Sequence, residues 1–270
     1  MAGARGVSAP AESPRVTLSI SNGLAVITLT RPEAGNALDG QAGLELRQAA
    51  LACSGSEVRA VLLKAEGRNF CFGGDLAHIA RQKDRGSSVR DMTIDFHAAI
   101  ALLGQMNAPV ICAVRGAASG AGLSLAAISD YVIASSEAQF SYAYTGVGFS
   151  ADGGLTWTLP RLIGLRSFQA LYLTGRRVKA TEALALGIVS EVVPDETLDD
   201  RALAFASEIA AGPTLAFGAV KRLAAEGLTQ SLAAHLDAES RALAVLADTE
   251  DAGQAIGALL ARKSPNFIGR

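Results

Sequence analysis

The 270-residue chain has only three cysteines, three histidines and one tryptophan, and aromatic residues make up just 5% of it. Cys53, Cys71 and Cys112 form no CxxC pair, and an odd number cannot all be joined within one chain. Such usage argues against a disulfide framework and points to reduced thiols in a cytoplasmic protein. His78, His97 and His235 are scattered without metal-ligand spacing, so no metal is expected. Positive charge is also scarce: 24 Lys and Arg against 26 Asp and Glu leave a net charge of −2. A nucleic-acid binder would usually show a basic stripe, so that class is set aside. The most membrane-like stretch, Val110 to Ile128, carries Arg115 and the interior glycines Gly116, Gly120 and Gly122. It reads as a buried strand, turn and helix, not as the run of about 20 apolar residues that a membrane span needs. Met1 to Pro14 lacks the apolar run of a signal peptide and is expected to be a disordered tail.

What the chain does have is apolar mass, 50% of its residues against 19% charged, enough for a sizeable core. Val16–Ser21 and Leu24–Leu29 are β-rich runs around Asn22-Gly23, a strong hairpin signal. A helix is expected over Gln41–Cys53, a strand over Val58–Lys64, a helix over Arg90–Met106 and a strand after Pro109. Leu123–Ile128 reads as a helix and Tyr131–Ala134 as another strand. This alternation favours an α/β core with crossover connections. After Pro160 helical spacing dominates, through Phe168–Leu173, Arg201–Ala211, Pro213–Ala225, Leu232–Ala247 and Asp251–Leu260, with one short strand near Ile188–Val193. The expected division is a tail over 1–14, a core over 15–195 and a helical oligomerisation region over 196–270.

Two glycine-rich turns, Asn69 to Leu76 and Gly116 to Gly122, each follow a β-branched run. Two strands could therefore deliver backbone N–H groups to neighbouring places, where glycine admits close approach of a ligand. A pair of converging N–H donors is what a thioester needs for a developing oxyanion. Around these turns, several segments stand in a distinctive order: Thr30 to Leu38, Gly67 to Leu76, Ala113 to Leu125, Ser129 to Ser135, Gly153-Gly154 before Leu159-Pro160-Arg161, Leu173 to Arg176 and Ala185 to Val189. From about Val16 onward the series resembles the crotonase, or enoyl-CoA hydratase/isomerase, superfamily.

That resemblance implies an α/β fold, a crotonase-like spiral of ββα units, with a helical C-terminal trimerisation region and assembly as a homotrimer or hexamer. It implies an acyl-CoA substrate, with coenzyme A entering as part of the substrate and no separate cofactor. Carried over position by position, the two oxyanion donors fall on Gly74 and Ala121. The backbone near Ala37, Phe72 and Leu76 would hold the adenine and pantetheine, and Arg31, Arg262 and Lys263 are candidate phosphate partners. The two glutamates with which hydratases of this superfamily activate water are absent, Ser124 and Tyr144 standing in their places. Asp152, in Phe149 to Gly154, resembles the catalytic aspartate of dienoyl-CoA isomerases, epoxyphenylacetyl-CoA isomerases and chlorobenzoyl-CoA dehalogenases. The same aspartate could simply cap the helix that begins near Gly153.

A single carboxylate can move a proton between two carbons of one substrate, so the expected reaction is isomerisation of an unsaturated acyl-CoA through an oxyanion-stabilised enolate. Tyr144, and secondarily Tyr142, would line the acyl pocket and orient the carboxylate. The alternatives are a hydratase or acyl-CoA hydrolase using the same aspartate, and a non-catalytic acyl-CoA-binding subunit. Gly146 to Ala151 only loosely fits a dinucleotide fingerprint, with Leu171 near where an acidic ribose partner belongs. Gly122 to Ala126 lacks the second glycine of a nucleophile elbow.

Overall fold

The computed structural model describes residues 13–270, so nearly all of the expected tail lies outside the described residues. In chain order the elements are β1 (Val16–Ser21), β2 (Leu24–Leu29), α1 (Gly40–Ala52), β3 (Ala60–Ala65), α2 (Leu76–Ala80), α3 (Arg85–Gln105), β4 (Val110–Val114), β5 (Ala117–Ser119), α4 (Ala121–Ile128), β6 (Tyr131–Ser135) and β7 (Gln139–Ser141). There follow α5 (Leu155–Ile163), α6 (Leu165–Thr174), β8 (Arg177–Lys179), α7 (Ala180–Leu186), β9 (Glu191–Val193), α8 (Leu198–Ala210), α9 (Thr214–Gly227), α10 (Leu232–Ala247) and α11 (Glu250–Leu260). The hairpin forms as Asn22-Gly23 dictates, both residues taking positive φ, 50° and 78°.

The main sheet runs in the order β1-β2-β3-β4-β6-β9, antiparallel at β1–β2 and parallel elsewhere. Its inner strands are apolar on both faces because both faces are covered. Ala25, Ile27, Leu29, Val61, Leu63, Val110, Cys112 and Val114 point into a large core with α1, α3 and α4. The alternate residues Leu24, Ala60, Leu62, Ile111 and Ala113 meet Leu198, Ala202, Ala206 and Ala210 of α8 on the other face. Helix α8, which the sequence pattern assigns to the C-terminal region beginning at 196, thus packs as the sheet's second cover. Its contact stripe recurs every four residues, as one face of a helix must.

A second small sheet, β5-β7-β8, was not expected, since three-residue strands leave almost no periodicity to read. Helix α3 begins five residues before the expected Arg90, where the Asp84 carboxylate accepts from Ser87 N–H at 3.0 Å. The polar first turn, Arg85-Gly86-Ser87-Ser88, hides that start from an apolar-periodicity reading. Among the described residues no single helix is long and apolar enough to cross a membrane.

Candidate active site

The parallel strands β3 and β4 end side by side, and the two glycine turns follow them. Cys71 is the knot between the turns: its N–H donates to Ala117 O at 3.0 Å and its carbonyl accepts from Ser119 N–H at 2.9 Å. The approach is so close that a Cβ on Gly73, which sits at φ 95°, would lie 2.9 Å from Ser119 O and 3.2 Å from Ala121 N. A Cβ on Gly122 would fall 2.4 Å from Cys71 O. Glycine is required at both positions because backbone occupies the space of a side chain.

Leu38 bridges the first turn through Gly73 O and Asp75 N–H, both at 2.8 Å, so the intervening Gly74 N–H is directed away from that bridge. Ala121 opens α4, where the first N–H groups have no partner inside the helix. Among the described residues neither the Gly74 nor the Ala121 N–H has an acceptor, and both residues line one cavity of about 120 Å³. The sequence therefore brings together two unpaired donors of the kind that can hold a developing oxyanion.

Asp152 lines the same cavity. It does not act as the helix cap: α5 is preceded by Gly154, with no side-chain cap bond. Its Oδ1 instead accepts a short hydrogen bond from the Tyr144 hydroxyl. Ser124, fully buried, has its Oγ 3.3 Å from Tyr144 Oη and 3.0 Å from the Asp152 carbonyl oxygen. The two residues at the expected glutamate positions are thus both hydrogen-bonded to Asp152. Burial, and then the neighbouring Asp152 charge, push the Tyr144 hydroxyl well above the ordinary tyrosine range. It remains a neutral donor to Asp152 Oδ1.

The chain positions Tyr144 by a tight turn. Tyr144 N–H donates to Tyr142 O at 2.7 Å around Ala143, whose φ of 59° and ψ of −34° approach the strained form of γ-turn. Tyr142 is buried behind it, edge-on with ring centroids 5.4 Å apart. Two further residues shape the site that the sequence pattern does not reveal. His97 Nε2 accepts the Gly153 N–H at 3.1 Å, fixing the peptide that follows Asp152. Cys71 Sγ accepts the Gly73 N–H at 3.3 Å. The His97 bond spans 56 positions and so leaves no local signal, while the Cys71 bond is local, inside the first glycine turn.

Burial pushes the Cys71 thiol up to about 12, against the opposing Gly73 hydrogen bond, and Cys53 likewise up to about 12; Cys112 is also raised by burial. All three thiols are buried. Native protein is expected to give no rapid reaction with a disulfide reagent at neutral pH, and three equivalents on denaturation. A fast-reacting thiol in the native state would refute this burial.

The expected coenzyme A contacts divide into two groups. Ala37, Phe72 and Leu76 cluster around the first turn, Phe72 and Leu76 lining the cavity with half-exposed side chains. Asn36, at φ 53°, ties this cluster down by donating to Glu66 O at 3.0 Å and Asn69 O at 2.9 Å. Arg31 lies alongside, but its guanidinium is engaged by Asp75 at 2.8 Å and Asp39 at 3.4 Å. Arg262 and Lys263 are exposed just beyond α11, and no described contact joins them to the cavity. The tail after them is held at the opposite ends of the strands, where Arg59 donates to Phe267 O at 2.8 Å. Among the described residues, no group of three or more His, Cys, Asp or Glu could hold a metal ion.

Comparison with known proteins agrees with this architecture. The enoyl-CoA hydratase/isomerase family model matches residues 19–270. A Rhodobacter capsulatus protein described as a probable enoyl-CoA hydratase is 38% identical over 255 residues, covering 94% of this chain and 98% of its own. The Escherichia coli 1,2-epoxyphenylacetyl-CoA isomerase is 33% identical, over 93% of this chain and 97% of its own. A Mycobacterium abscessus crystal structure described as an enoyl-CoA hydratase/isomerase superposes with a TM-score of 0.90 at 39% identity, covering 94% of this chain and 100% of that one. The chain has the crotonase fold and belongs to the enoyl-CoA hydratase/isomerase family.

Proposed function

We propose that the protein isomerises an unsaturated acyl-CoA, moving a proton along the acyl chain with Asp152 as the acid/base. The observation that carries this reading is the surroundings of the carboxylate: it lines the cavity with both unpaired N–H groups, and Asp152 is hydrogen-bonded to Ser124 and Tyr144, the residues that the family resemblance puts at the hydratase glutamate positions. The thioester oxygen would accept from Gly74 and Ala121. Asp152 removes a proton from carbon, the electrons pass into the thioester to form an enolate, and the same carboxyl returns the proton to another carbon. Tyr144 engages Oδ1, and among the described residues no side chain engages Oδ2, which is therefore free to take the proton. The enolate carries more charge on oxygen than the thioester does, so the two donors favour it selectively.

Hydration is the second reading, favoured by the hydratase names of several relatives. In that case Asp152 alone would activate water, without a second carboxylate beside it. Mass spectrometry on a panel of unsaturated acyl-CoA esters separates the two. A double-bond shift at constant mass is expected; gain of water or release of free coenzyme A would replace isomerisation with hydratase or hydrolase chemistry, and binding without turnover would leave a non-catalytic acyl-CoA-binding subunit.

The reading includes a homotrimer or hexamer. Helix α10 buries none of its residues and leaves Leu232 73% and Leu243 70% exposed, while Leu260 at the end of α11 is 83% exposed. An apolar surface of that extent is covered by association. Light scattering is expected to report three or six chains at micromolar concentration; a monodisperse monomer would refute the assembly.

A further inference from the structure

We propose that the acyl pocket selects uncharged, apolar acyl groups and rejects acyl groups that end in a second carboxylate. The inference rests on the acyl-CoA reading above. The wall facing Asp152 comes from α3, which presents Val89, Met92 and Phe96 at helical spacing, and from Val147 and Phe149. Among the described residues lining the cavity, none is Lys, Arg or His. The charged groups that do line it are both acidic, Asp39 and Asp152. Asp39 is already paired with Arg15 at 3.3 Å and Arg31 at 3.4 Å, so those two cations are engaged.

A carboxylate entering this space would lose its hydration, find no cation, and face Asp152 as a like charge. The groove beyond Met92 does not reverse the sign, since Asp84, Asp91 and Asp95 there oppose Arg81 and Lys83.

Hexanoyl-CoA and adipoyl-CoA test this directly, since they differ only in a terminal methyl against a carboxylate and neither has a double bond to shift. Calorimetric titration of the full-length protein is expected to give hexanoyl-CoA at least about tenfold tighter binding than adipoyl-CoA. A ratio below tenfold would overturn the selectivity while leaving the acyl-CoA reading intact. Failure of both esters to bind would instead overturn that reading itself. Thr93→Lys, which adds a cation to the α3 wall, should shift the ratio about tenfold toward adipoyl-CoA. An unchanged ratio in a folded Thr93→Lys protein would show that α3 is not the acyl wall.

Discussion

Gly74→Pro is expected to leave a folded protein that still binds acyl-CoA yet turns over about 10²–10³-fold more slowly, the usual cost of deleting one oxyanion donor. Proline removes the N–H and nothing else that the local structure depends on. The bridge to Leu38 uses Gly73 O and Asp75 N–H, so the loop retains both bonds. A Cβ at Gly74 meets nothing closer than Ile79 Cδ1 at 4.0 Å, which leaves room for the new side chain. Gly74 is not among the residues at positive φ, so proline's fixed negative φ is not excluded by the sign of the backbone. Gly74→Ala is the control, since it adds a Cβ but keeps the donor. Turnover by the alanine variant should stay within about threefold of wild type, because the lost interaction is the N–H itself. Equal losses in both variants would mean that bulk is what matters; no loss in the proline variant would move the oxyanion site elsewhere.

The parts of the fold legible in the sequence are those written in strong local code. The Asn22-Gly23 turn sets the hairpin register through positive φ, and β2, β3 and β4 announce themselves as apolar runs because both of their faces are buried. The small sheet was illegible for the opposite reason. β5 is Ala117-Ala118-Ser119, a sequence with no strand preference, held in place by Cys71 and by Gln139 to Ser141 of β7. Helix α8 shows why a helical pattern alone does not assign a region. Its Leu198, Ala202, Ala206 and Ala210 stripe looks like any amphipathic helix, and only the sheet's second apolar face explains where it goes.

The candidate site divides along the same line. Glycine turns are readable because they are defined by what backbone geometry permits, and the structure places Gly73, Gly74, Gly120 and Ala121 around one cavity. Residues that act on a distant backbone group are not readable. Asn36 reaches Glu66 O and Asn69 O, and His97 reaches Gly153 N–H across 56 positions. Arg31 is the converse case. The sequence marks it only as a candidate phosphate partner, whereas its pairs with Asp75 and Asp39, which fasten the first glycine turn, depend on residues it does not neighbour in sequence. Burial works against the Asp75 charge, yet the His78 N–H and the Arg31 guanidinium outweigh it and hold this carboxyl below the usual range.

Asp152→Asn is expected to reduce turnover by about 10²–10⁴-fold, as loss of a general base does, while acyl-CoA affinity and melting temperature change little. The substitution is nearly isosteric and keeps an oxygen that can accept from the Tyr144 hydroxyl. The Asp152 carbonyl still receives its bonds from Leu155 N–H at 3.1 Å and from Ser124, so the turn into α5 is not disturbed. What asparagine cannot do is take a proton from carbon. Were the aspartate merely structural, the variant would keep its activity, because α5 is not capped by this side chain. Tyr144→Phe gives the complementary result. It removes the donor to Oδ1 without removing the base, so a smaller loss, about tenfold, is expected from poorer orientation alone. Near wild-type isomerisation by Asp152→Asn would end the proton-transfer role of this residue and leave the carbon acid without an identified base.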